Sequence, residues 1–541
     1  MKYYGSNGNT RDDNIEYVGN CYTMGKISNQ NHRYQPHISA SIAFCLLILN
    51  ILGCSQNQPN SNASQMKNVV ETATKQKRFD GITITAVTFD KPIGVGVERR
   101  AREFEKLTGA KVNVIKLPIK DVFPAMQQDF ENKTNKYDVV VFSPQWMTDF
   151  AQPGYLEDLT ERVKADKLLA WDDIAPFFRE FTATYKGKIY AVPVDGDFHM
   201  VYYRTDLLEK AGLEPPRTWE DYIAIAKKFH GQDLNGDSKP DYGTCMAKQP
   251  KHANHKLFWS VASPFLQSQG TQQGSYFDPE TMKPLVNNAA FAKALDIHKE
   301  TNKYSPPQEM TLNLYQARDL FFDGRCAMTL DWGDVGTLLS DPAHAQISEK
   351  IGALILPGSK EVLDRKTGKL VPCDKFTCPY AIDGVNHAPY GAVGGWVGGI
   401  NATAKPEVKD ASYALISYIS QPAQSNVDVT IGVTGFNPYR ISQFTNRETW
   451  LKSGMKDVVV SKYLGGIAVS LKNPNMVLDL RVPENALYER EILDTALDDF
   501  LLSKKTRQET MEYLEREWEK VTSKKGRNSQ IEAYRGSLGI E

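Results

Sequence analysis

Short apolar runs and helix-period stretches alternate along the chain from about residue 82. Residues 82–87 and 112–117 are rich in β-branched side chains and predict strands, and 139–142 is an unbroken apolar run typical of a strand buried on both faces. Between these runs, residues 97–107 and 122–130 place apolar side chains on one helical face. This order of strands and helices predicts a parallel sheet with right-handed crossovers.

Ligands of such a sheet bind beyond the carboxyl ends of its strands. That rule selects the residues that follow the first and third predicted strands. They are Thr88, Phe89, Asp90, Ser143, Gln145 and Trp146. We therefore expect this edge of the sheet to face a ligand.

A crossing between two sheets is predicted at 188–204. This segment reads as a strand, a break at Pro193, a polar turn containing Asp195 and Asp197, and a second strand. A short helix over 206–210 follows. A chain that leaves one sheet and enters another in this way indicates a boundary between two lobes.

The chain after this crossing is mainly helical. Thr218 is placed to cap a helix, with Asp221 three residues further on, in a near match to a capping box. Residues 321–332 (FFDGRCAMTLDW) resemble a family pattern of a helix end, a glycine turn and a short strand, which ends here at Asp331 and Trp332.

Glycine is dense at 391–401, around Trp396. Such a segment allows close backbone approach. It lacks the Lys-Ser/Thr ending of a phosphate-binding loop and the spacing of a dinucleotide site. Two later helices, over 483–502 and 506–520, carry apolar residues on one face, and we expect them to pack on the second lobe.

Composition and charge narrow the class of protein. The 541 residues are 41% hydrophobic and 24% charged, enough for the cores of two or more domains. The formal net charge of -1 provides no broad basic surface, which argues against nucleic acid or an anionic membrane face as the main partner.

A targeting segment is predicted at 1–54, with Met24 a better placed start than Met1. Residues 39–52 are apolar but too short for a membrane span of ~20 residues. The sequence ILGC that ends at Cys54 resembles a bacterial lipobox, which implies that Cys54 is lipidated and anchors the protein without a membrane crossing. A plain signal peptide is the alternative. Residues 55–78 are polar and predict a flexible tether.

Several segments share motifs with a known family. YYRTDLLEKAGLEPPRTWEDY at 202–222 and DVVVFSPQWMTDFAQPGYLEDLT at 138–160 resemble the family 1 extracellular solute-binding proteins of bacterial ABC importers, the sugar-binding group. The resemblance continues as a series of moderately specific motifs from 82 to 521. It implies an α/β fold of two lobes, each a mostly parallel sheet flanked by helices, joined by several hinge crossings. The implied division is 79–193 plus about 398–470 for lobe 1, and 194–397 plus about 471–541 for lobe 2.

The resemblance also implies a function. The protein would be a monomeric, non-enzymatic substrate-binding component, held in the periplasm or at the cell surface. It would close on a carbohydrate, such as an oligosaccharide, a disaccharide or a polyol glycoside, and deliver it to the permease of an ABC importer. No cofactor is expected.

The implied ligand contacts follow from the chemistry of sugars. A sugar presents apolar C–H faces, which flat aromatic rings cover, and hydroxyl edges, which carboxylates and amides bind. The residues that the strand-end rule and the resemblance select are Phe89, Asp90, Gln145, Trp146, Asp195, Asp197, Trp259, Asp331, Trp332 and Trp396.

An acidic turn at 233–241 matches part of a calcium-binding loop. Asp233, Asn235, Asp237 and Asp241 supply oxygens at suitable spacing. The glycine and the final glutamate of an EF-hand are missing, so an Asx-rich surface turn is the alternative, and any calcium would be structural.

Four cysteines lie beyond the targeting region. Cys373 and Cys378 are spaced to close a small disulfide loop outside the cytoplasm. For Cys245 and Cys326 we expect buried thiols in preference to a disulfide.

Two other functions stay open. The adjacent Tyr202 and Tyr203 are similar to the tyrosines of ferric-ion-binding relatives, which suggests an importer component for an ion or another small solute. Asp195 and Asp197 could suggest a glycoside hydrolase. Residues two apart on one segment do not readily flank a sugar across the ~5 to ~9 Å that hydrolysis requires.

Overall fold

A computed structural model describes residues 78–540, which form two larger sheets and three two-stranded ones, with helices around them. The strands are β1 (Thr83–Phe89), β2 (Lys111–Leu117), β3 (Val139–Phe142), β4 (Thr184–Tyr185), β5 (Lys188–Ile189), β6 (Ala191–Pro193), β7 (His199–Arg204), β8 (Tyr242–Cys245), β9 (Cys326–Trp332), β10 (Ile351–Leu354), β11 (Glu361–Asp364), β12 (Lys369–Pro372), β13 (Tyr390–Gly391), β14 (Val397–Ile400) and β15 (Val477–Leu478).

Helices make up most of the remaining regular structure. The α-helices are α1 (Ile93–Thr108), α2 (Ile119–Asn132), α3 (Met147–Ala151), α4 (Thr160–Ala165), α5 (Thr205–Ala211), α6 (Trp219–Phe229), α7 (Asn254–Leu266), α8 (Ala289–Thr301), α9 (Leu314–Phe322), α10 (Asp334–Leu338), α11 (Ala345–Ser348), α12 (Pro406–Ser420), α13 (Pro422–Asp428), α14 (Ile441–Thr445), α15 (Glu448–Lys452), α16 (Asp457–Leu471), α17 (Asp494–Leu501), α18 (Arg507–Lys525) and α19 (Arg527–Ser537). Two π-helical segments are Phe178–Thr182 and Leu487–Leu493.

The first sheet has five strands in the order β2-β1-β3-β14-β6. Strands β1, β2 and β3 pair in parallel, as the sequence predicts, whereas β14 pairs antiparallel with both β3 and β6. The central strand β3 is buried along its whole length. We refer to this sheet and the helices packed on it as lobe 1.

The second sheet has four strands in the order β10-β7-β9-β8. Strand β7 pairs antiparallel with β10 and with β9, and β8 pairs in parallel with β9. The prediction of a mostly parallel sheet therefore fails here, because β7 enters from lobe 1 and runs against both of its neighbours. This sheet and its helices form lobe 2.

Local signals in the sequence set the ends of several elements. Thr218 accepts a hydrogen bond from the Asp221 backbone and completes the predicted capping box at the start of α6. Helix α5 ends at Gly212, whose φ of 64° is left-handed. Gly324, with φ of 75°, makes the predicted turn between α9 and β9.

The backbone passes between the lobes at three places. The first passage joins β6 to β7, and the second runs from β13 into β14. The third lies between α13 and α16, because α16 packs against β10 of the second sheet. The sequence placed residues up to about 470 in lobe 1, so the return to lobe 2 comes earlier in the chain than expected.

The C-terminal helices pack on lobe 2, as predicted. Helix α18 contacts α8 and α17. Trp518 is buried there, and its indole N–H donates to the Tyr488 carbonyl at 3.1 Å. Helix α19 also contacts α3 of lobe 1.

Both cysteine pairs are disulfides. Cys373 and Cys378 close the predicted loop, with their Cα atoms 5.4 Å apart. Cys245 is bonded to Cys326, so the expectation of free buried thiols at these positions is wrong. Residues 359–389 include the Cys373–Cys378 loop, and they also contain the antiparallel hairpin of β11 and β12.

Candidate functional site

Polar residues from both lobes meet where the backbone passes between the sheets. We call this group the interlobe cluster. It comprises Asp195, Asp197, His199, Lys256, Arg318, Asp331, Trp332, Tyr390, Asn437, Asp479 and Arg481, all buried except the half-buried Trp332.

Asp195 and Asp197 lie between β6 and β7 and are tied together by Asn437. The Asn437 backbone N–H donates to Asp195 Oδ1 at 2.6 Å, and its side-chain amide donates to Asp197 Oδ1 at 2.9 Å. Burial raises the pKa of both carboxyls well above their usual range. Burial therefore favours the neutral carboxylic acid over the charged carboxylate at these two neighbouring positions.

The glycine-rich segment at 391–401 approaches the backbone of Asp195 closely. A Cβ atom on Gly395 would lie 2.1 Å from the Asp195 carbonyl oxygen, and Gly395 has φ of 86°. Only glycine fits such a position, because it has neither the side chain that would collide nor the preference against positive φ. The sequence predicted this close approach at 391–401.

Asp331 is held by Arg318 in a bidentate pair. Arg318 Nε and Nη2 donate to the two Asp331 carboxylate oxygens at 2.9 and 2.7 Å, and Nη2 also donates to Asp334 at 2.8 Å. The Trp332 backbone N–H donates to Asp331 at 2.6 Å. Both oxygens of Asp331 are thus engaged within the protein, and its contribution here is to position Arg318 and Trp332.

Trp332 stands at the end of β9 against His199. The two rings are 4.1 Å apart in an edge-to-face arrangement, and the indole N–H donates to the Ala392 carbonyl at 3.3 Å. His199 hydrogen bonds through Nδ1 to the Ser260 hydroxyl at 2.7 Å and lies 5.7 Å from the Tyr390 ring. Burial, with Lys256 nearby, lowers the pKa of His199 well below its usual range, so the neutral imidazole is favoured.

Aromatic residues that were predicted for the two different lobes come together. Phe89 stacks on Trp396 at 5.4 Å, and Trp146 meets Trp396 edge to face at 6.3 Å. Trp396 follows Gly395, and its carbonyl accepts a hydrogen bond from Val194 just before Asp195. Trp332 is bonded to Ala392 in the same glycine-rich segment, so these aromatics border one region.

Gln145 lies at the edge of this region, beside the C-terminal part of lobe 2. Its amide donates to Glu489 at 3.2 Å. Glu489 also accepts from the Tyr276 hydroxyl at 2.9 Å, and that hydroxyl hydrogen bonds to Tyr390 at 2.9 Å. Gln145 therefore joins the two lobes through a chain of hydrogen bonds.

Trp259 is placed differently from the other predicted aromatics. Its ring is stacked on Tyr276 at 3.8 Å and is fully buried in lobe 2, with its N–H donating to Ser275 at 2.9 Å. The face of the indole is covered by protein, so Trp259 supports the Tyr276–Tyr390 pair from behind. Asp90 is half-buried at the end of β1, and its backbone N–H donates to Leu117 at 2.9 Å.

Many buried polar atoms around this region lack a hydrogen-bond partner among residues 78–540. The strand-end rule already selected two of their residues, Thr88 and Ser143. The atoms are Thr88 Oγ1, Ser143 Oγ, Asp195 Oδ2, His199 Nε2, Lys256 Nζ, Asn437 Oδ1, Asp479 Oδ2 and Arg481 Nη2. Unpaired buried polar atoms are costly and rare, so a group of them indicates a place where a polar ligand completes the hydrogen bonding.

Sequence reasoning did not find several members of the cluster. His199 follows Asp197 by two residues, and Asn437 lies in the sequence GFNPYR at 435–440, for which the sequence analysis predicted no ligand contact. Lys256, Arg318 and Arg481 carry no motif. Their charged side chains are typical of exposed positions, so the sequence offered no signal that they are buried.

The acidic turn at 233–241 brings Asp233, Asp237 and Asp241 together, with one oxygen of each within 4.8 Å of the others. Asp241 pairs with Arg325 at 2.9 Å, and Asp233 accepts three backbone N–H groups, from Gly236, Asp237 and Ser238. These bonds also suit an Asx-rich turn. Structural calcium at Asp233, Asn235, Asp237 and Asp241 stays a prediction.

The predicted lipidation site, Cys54, lies outside the described residues. Within 78–540, we find no helix with the length and apolar character that a membrane crossing requires.

Comparison with known proteins decides the family. The sequence profile of the bacterial extracellular solute-binding proteins matches residues 88–425. The chain belongs to this family. The match includes the first crossing, the glycine-rich segment and the strands of both sheets except most of β1, and it confirms the predicted family and two-lobe fold.

Individual relatives agree with the family assignment. The mannitol-binding protein of Pseudomonas aeruginosa is 27% identical over 241 residues, which cover 44% of this chain and 51% of that protein. A probable ABC transporter-binding protein of Deinococcus radiodurans is 27% identical over 269 residues, covering 48% of this chain and 59% of the relative. The chain thus spans little more than half the length of these curated relatives.

Solved structures match over a longer stretch. An ABC transporter solute-binding protein from Agrobacterium radiobacter K84, in complex with ribitol, has a TM-score of 0.63 and 25% identity, covering 82% of this chain and 100% of that one. Maltose-bound MalE3 from T. maritima has a TM-score of 0.62 at 19% identity, over 82% of this chain and 100% of that chain, and it supports the fold alone.

Proposed function

We propose that the protein is the substrate-binding component of an ABC importer and captures a sugar or polyol between its lobes. The observation that carries this proposal is the group of buried polar atoms from both lobes in the interlobe cluster that lack a hydrogen-bond partner among residues 78–540. A polyhydroxy solute offers donors and acceptors in every direction and completes such a group. Relatives named for mannitol and for a ribitol complex belong to the same class of solutes.

The aromatic residues add the second requirement for this class of solute. Trp332, with Phe89, Trp146 and Trp396 across the crossing, supplies flat apolar surfaces beside the polar groups. Such rings cover the C–H faces of a sugar while the polar groups bind its hydroxyls. Solute contact at these residues is part of the proposal.

Capture is proposed to proceed by hinge closure. The lobes are joined by backbone passages, and the cluster draws residues from both, so a bound solute contacts all of them only when the lobes are together. The solute shifts the balance toward the closed form by the contacts that it gains there. The closed form is the one that the permease would recognise.

We propose no catalytic role for the site. Asp195 and Asp197 share Asn437, and Asp331 is engaged by Arg318. This arrangement does not leave two free carboxyls on opposite faces of a sugar. Incubation of the purified protein with a bound sugar, followed by chromatography, should return the sugar unchanged; a hydrolysis product would support the hydrolase alternative.

The alternative that the protein carries an ion rests on the tyrosine pair, Tyr202 and Tyr203, and the surroundings of these two residues give it little support. The Tyr202 hydroxyl is buried and donates to the Trp332 carbonyl at 2.9 Å, and Tyr203 packs over Gly352. Metal analysis of the purified protein tests this alternative, since a ferric-ion carrier would retain iron in stoichiometric amount.

A thermal-shift screen is the direct test of the proposed function. It should include mono-, di- and trisaccharides, polyols and compatible solutes. A solute that binds only the folded state stabilises it by about 2.7 kcal/mol at 100 times its Kd, so a true ligand should raise Tm by several degrees. Absence of any shift across the whole panel would contradict the proposal.

The anchor is part of the proposal. A lipidated Cys54 would hold the protein at the outer side of the cytoplasmic membrane or at the cell surface, as a monomer beside the permease. Cys54→Ser should release the protein into the soluble fraction of cells that express it. Unchanged membrane association of this variant would show that the anchor lies elsewhere.

A further inference from the structure

Lys256 is a buried cation with no partner in the described part of the chain. It lies near the start of α7 with 5% of its surface exposed, and its Nζ makes no hydrogen bond or ion pair within residues 78–540. An ammonium group in such a place is unfavourable unless an anion or several acceptors reach it. The nearby Lys251, by contrast, is exposed and pairs with Glu491 at 2.6 Å.

Lys256 interacts electrostatically with Asp479, which is bonded to a second cation. Arg481 Nε donates to Asp479 Oδ1 at 2.9 Å, and both Arg481 and Lys256 oppose the rise in the pKa of Asp479 that burial produces. Arg481 Nη2 is also buried without a partner among the described residues. Asp479 thus interacts with two cations, Arg481 and Lys256, and each of them keeps a donor atom without a partner among the described residues.

The other carboxylate near this point is already supplied with donors. Glu489 accepts from Tyr276 at 2.9 Å and from Gln145 at 3.2 Å. His199 lies near Lys256, and its Nε2, also without a partner within 78–540, is an acceptor, because Nδ1–H donates to Ser260, whose hydroxyl donates to the Lys256 carbonyl. Lys256 Nζ and Arg481 Nη2 are therefore the donors without partners in this part of the described chain.

Another part of the cluster offers acceptors. Asp195 Oδ2 and Asn437 Oδ1 are buried and lack partners in the described chain. Burial raises the pKa of Asp195, which disfavours a charge at that end. A neutral hydroxyl, able to donate and to accept, suits this side, whereas an anion does not.

We propose that the solute is a polyhydroxy acid, with its carboxylate at Lys256 and Arg481 and its hydroxyl groups at Asp195 and Asn437. This inference rests on the proposed function and narrows it from sugars and polyols in general to sugar acids. The carboxylate accepts charge-assisted hydrogen bonds from Lys256 Nζ and Arg481 Nη2, which lack acceptors among residues 78–540. A neutral polyol of the same length offers these two cations only uncharged acceptors.

Calorimetry with matched pairs of solutes tests the inference. The pairs are ribitol with ribonate, and mannitol with mannonate, which differ at one end only. On the wild-type protein we expect one acid to bind at least tenfold more tightly than its own polyol. The variant Lys256→Met should remove this preference, Lys256→Arg should retain most of it, and Lys251→Met, at the exposed neighbouring lysine, should leave it unchanged.

The outcomes separate this inference from the proposed function. If the polyols bind as tightly as their acids, or more tightly, the inference fails while the proposed function stands. If Lys256→Met weakens acid and polyol equally, Lys256 only offsets the charge of Asp479, and the inference also fails. If no sugar, polyol or sugar acid binds, the proposed function itself fails. Should Lys256→Met not fold, the wild-type comparison alone decides.

Discussion

Individual side chains in the interlobe cluster have distinct tasks that follow from their surroundings. Asp331 is tied to Arg318 and positions its neighbours, whereas Trp332 keeps part of its ring accessible beside His199. The same strand end therefore supplies one residue for support and one for contact. Substitution of the contact residue should affect binding more than folding.

Trp332→Ala should weaken binding of the best sugar or polyol by more than tenfold, because the flat face that covers its C–H groups is lost. Calorimetry measures this change, and a thermal melt shows that the variant is folded. The matched control is Trp171→Ala, at a half-buried tryptophan outside the interlobe cluster. Equal affinity for Trp332→Ala and wild type would remove Trp332 from the site.

Asp149 gives lobe 1 a dependence on pH. It lies on α3, three residues after Trp146, and burial with the nearby Glu484 raises its pKa to about 7 from 3.8. Because the folded state holds this proton more tightly than the unfolded state, the stability contributed is present at low pH and is lost as pH rises toward 7. The loss between pH 5 and pH 8 should be about 2–3 kcal/mol.

Urea unfolding at pH 5 and pH 8 checks this prediction. Asp149→Asn has no ionisable group there and should lose less stability over the same interval. Asp172→Asn, at an exposed carboxyl, should behave like the wild type. Identical pH dependence in wild type and Asp149→Asn would show that Asp149 ionises at its ordinary pKa.

At the scale of elements, the structure depends on how closely the crossing segments approach one another. Gly395 has φ of 86° and faces the Asp195 carbonyl, whereas Gly454 has φ of 97° and no atom within 4 Å of a Cβ built on it. The two glycines share a positive φ and differ in the contact that an added Cβ would make. Alanine substitutions at these two glycines therefore separate the strain of a positive φ from the steric cost of the contact with Asp195.

Gly454→Ala should lower the free energy of unfolding by about 1–2 kcal/mol, which is the strain of a positive φ. Gly395→Ala should lower it by that amount and by roughly 1–3 kcal/mol more, since the added methyl group displaces the Asp195 segment. Urea unfolding measures both. Equal losses would mean that the crossing segments separate without penalty, contrary to the close approach described here.

The elements also show how far the sequence alone could go. The buried strand β3 and the capping box at Thr218 were predicted correctly, because both depend on local patterns. The antiparallel pairing of β7 in the second sheet was not predicted. The direction of pairing depends on which strands the chain meets after it leaves lobe 1. The disulfide between Cys245 and Cys326, 81 residues apart, was missed for the same reason.

The candidate site depends on contacts between distant residues in the same way. Trp332 and Trp396 were selected by the family resemblance, which rests on local motifs, and their contact with a solute stays a prediction. Asn437 and Asp197 are 240 residues apart, and their hydrogen bond has no trace in the sequence around either one. Lys256 reads as a surface lysine on a helix, and only the folded chain shows that it is buried.

At the scale of the whole molecule, the account holds that two lobes enclose a polyhydroxy solute at the interlobe cluster. Asn437 is central to that claim, because it connects to the carboxyls of the first crossing and presents its own buried oxygen. Its removal should affect the solute directly. The exposed Asn132, at the end of α2, provides a matched control.

Calorimetric titration of the tightest solute into wild type, Asn437→Ala and Asn132→Ala tests the claim most directly. We expect Asn437→Ala to weaken binding by at least tenfold, while Asn132→Ala binds like the wild type. If folded Asn437→Ala binds the solute with wild-type affinity, the solute lies elsewhere and the account is contradicted.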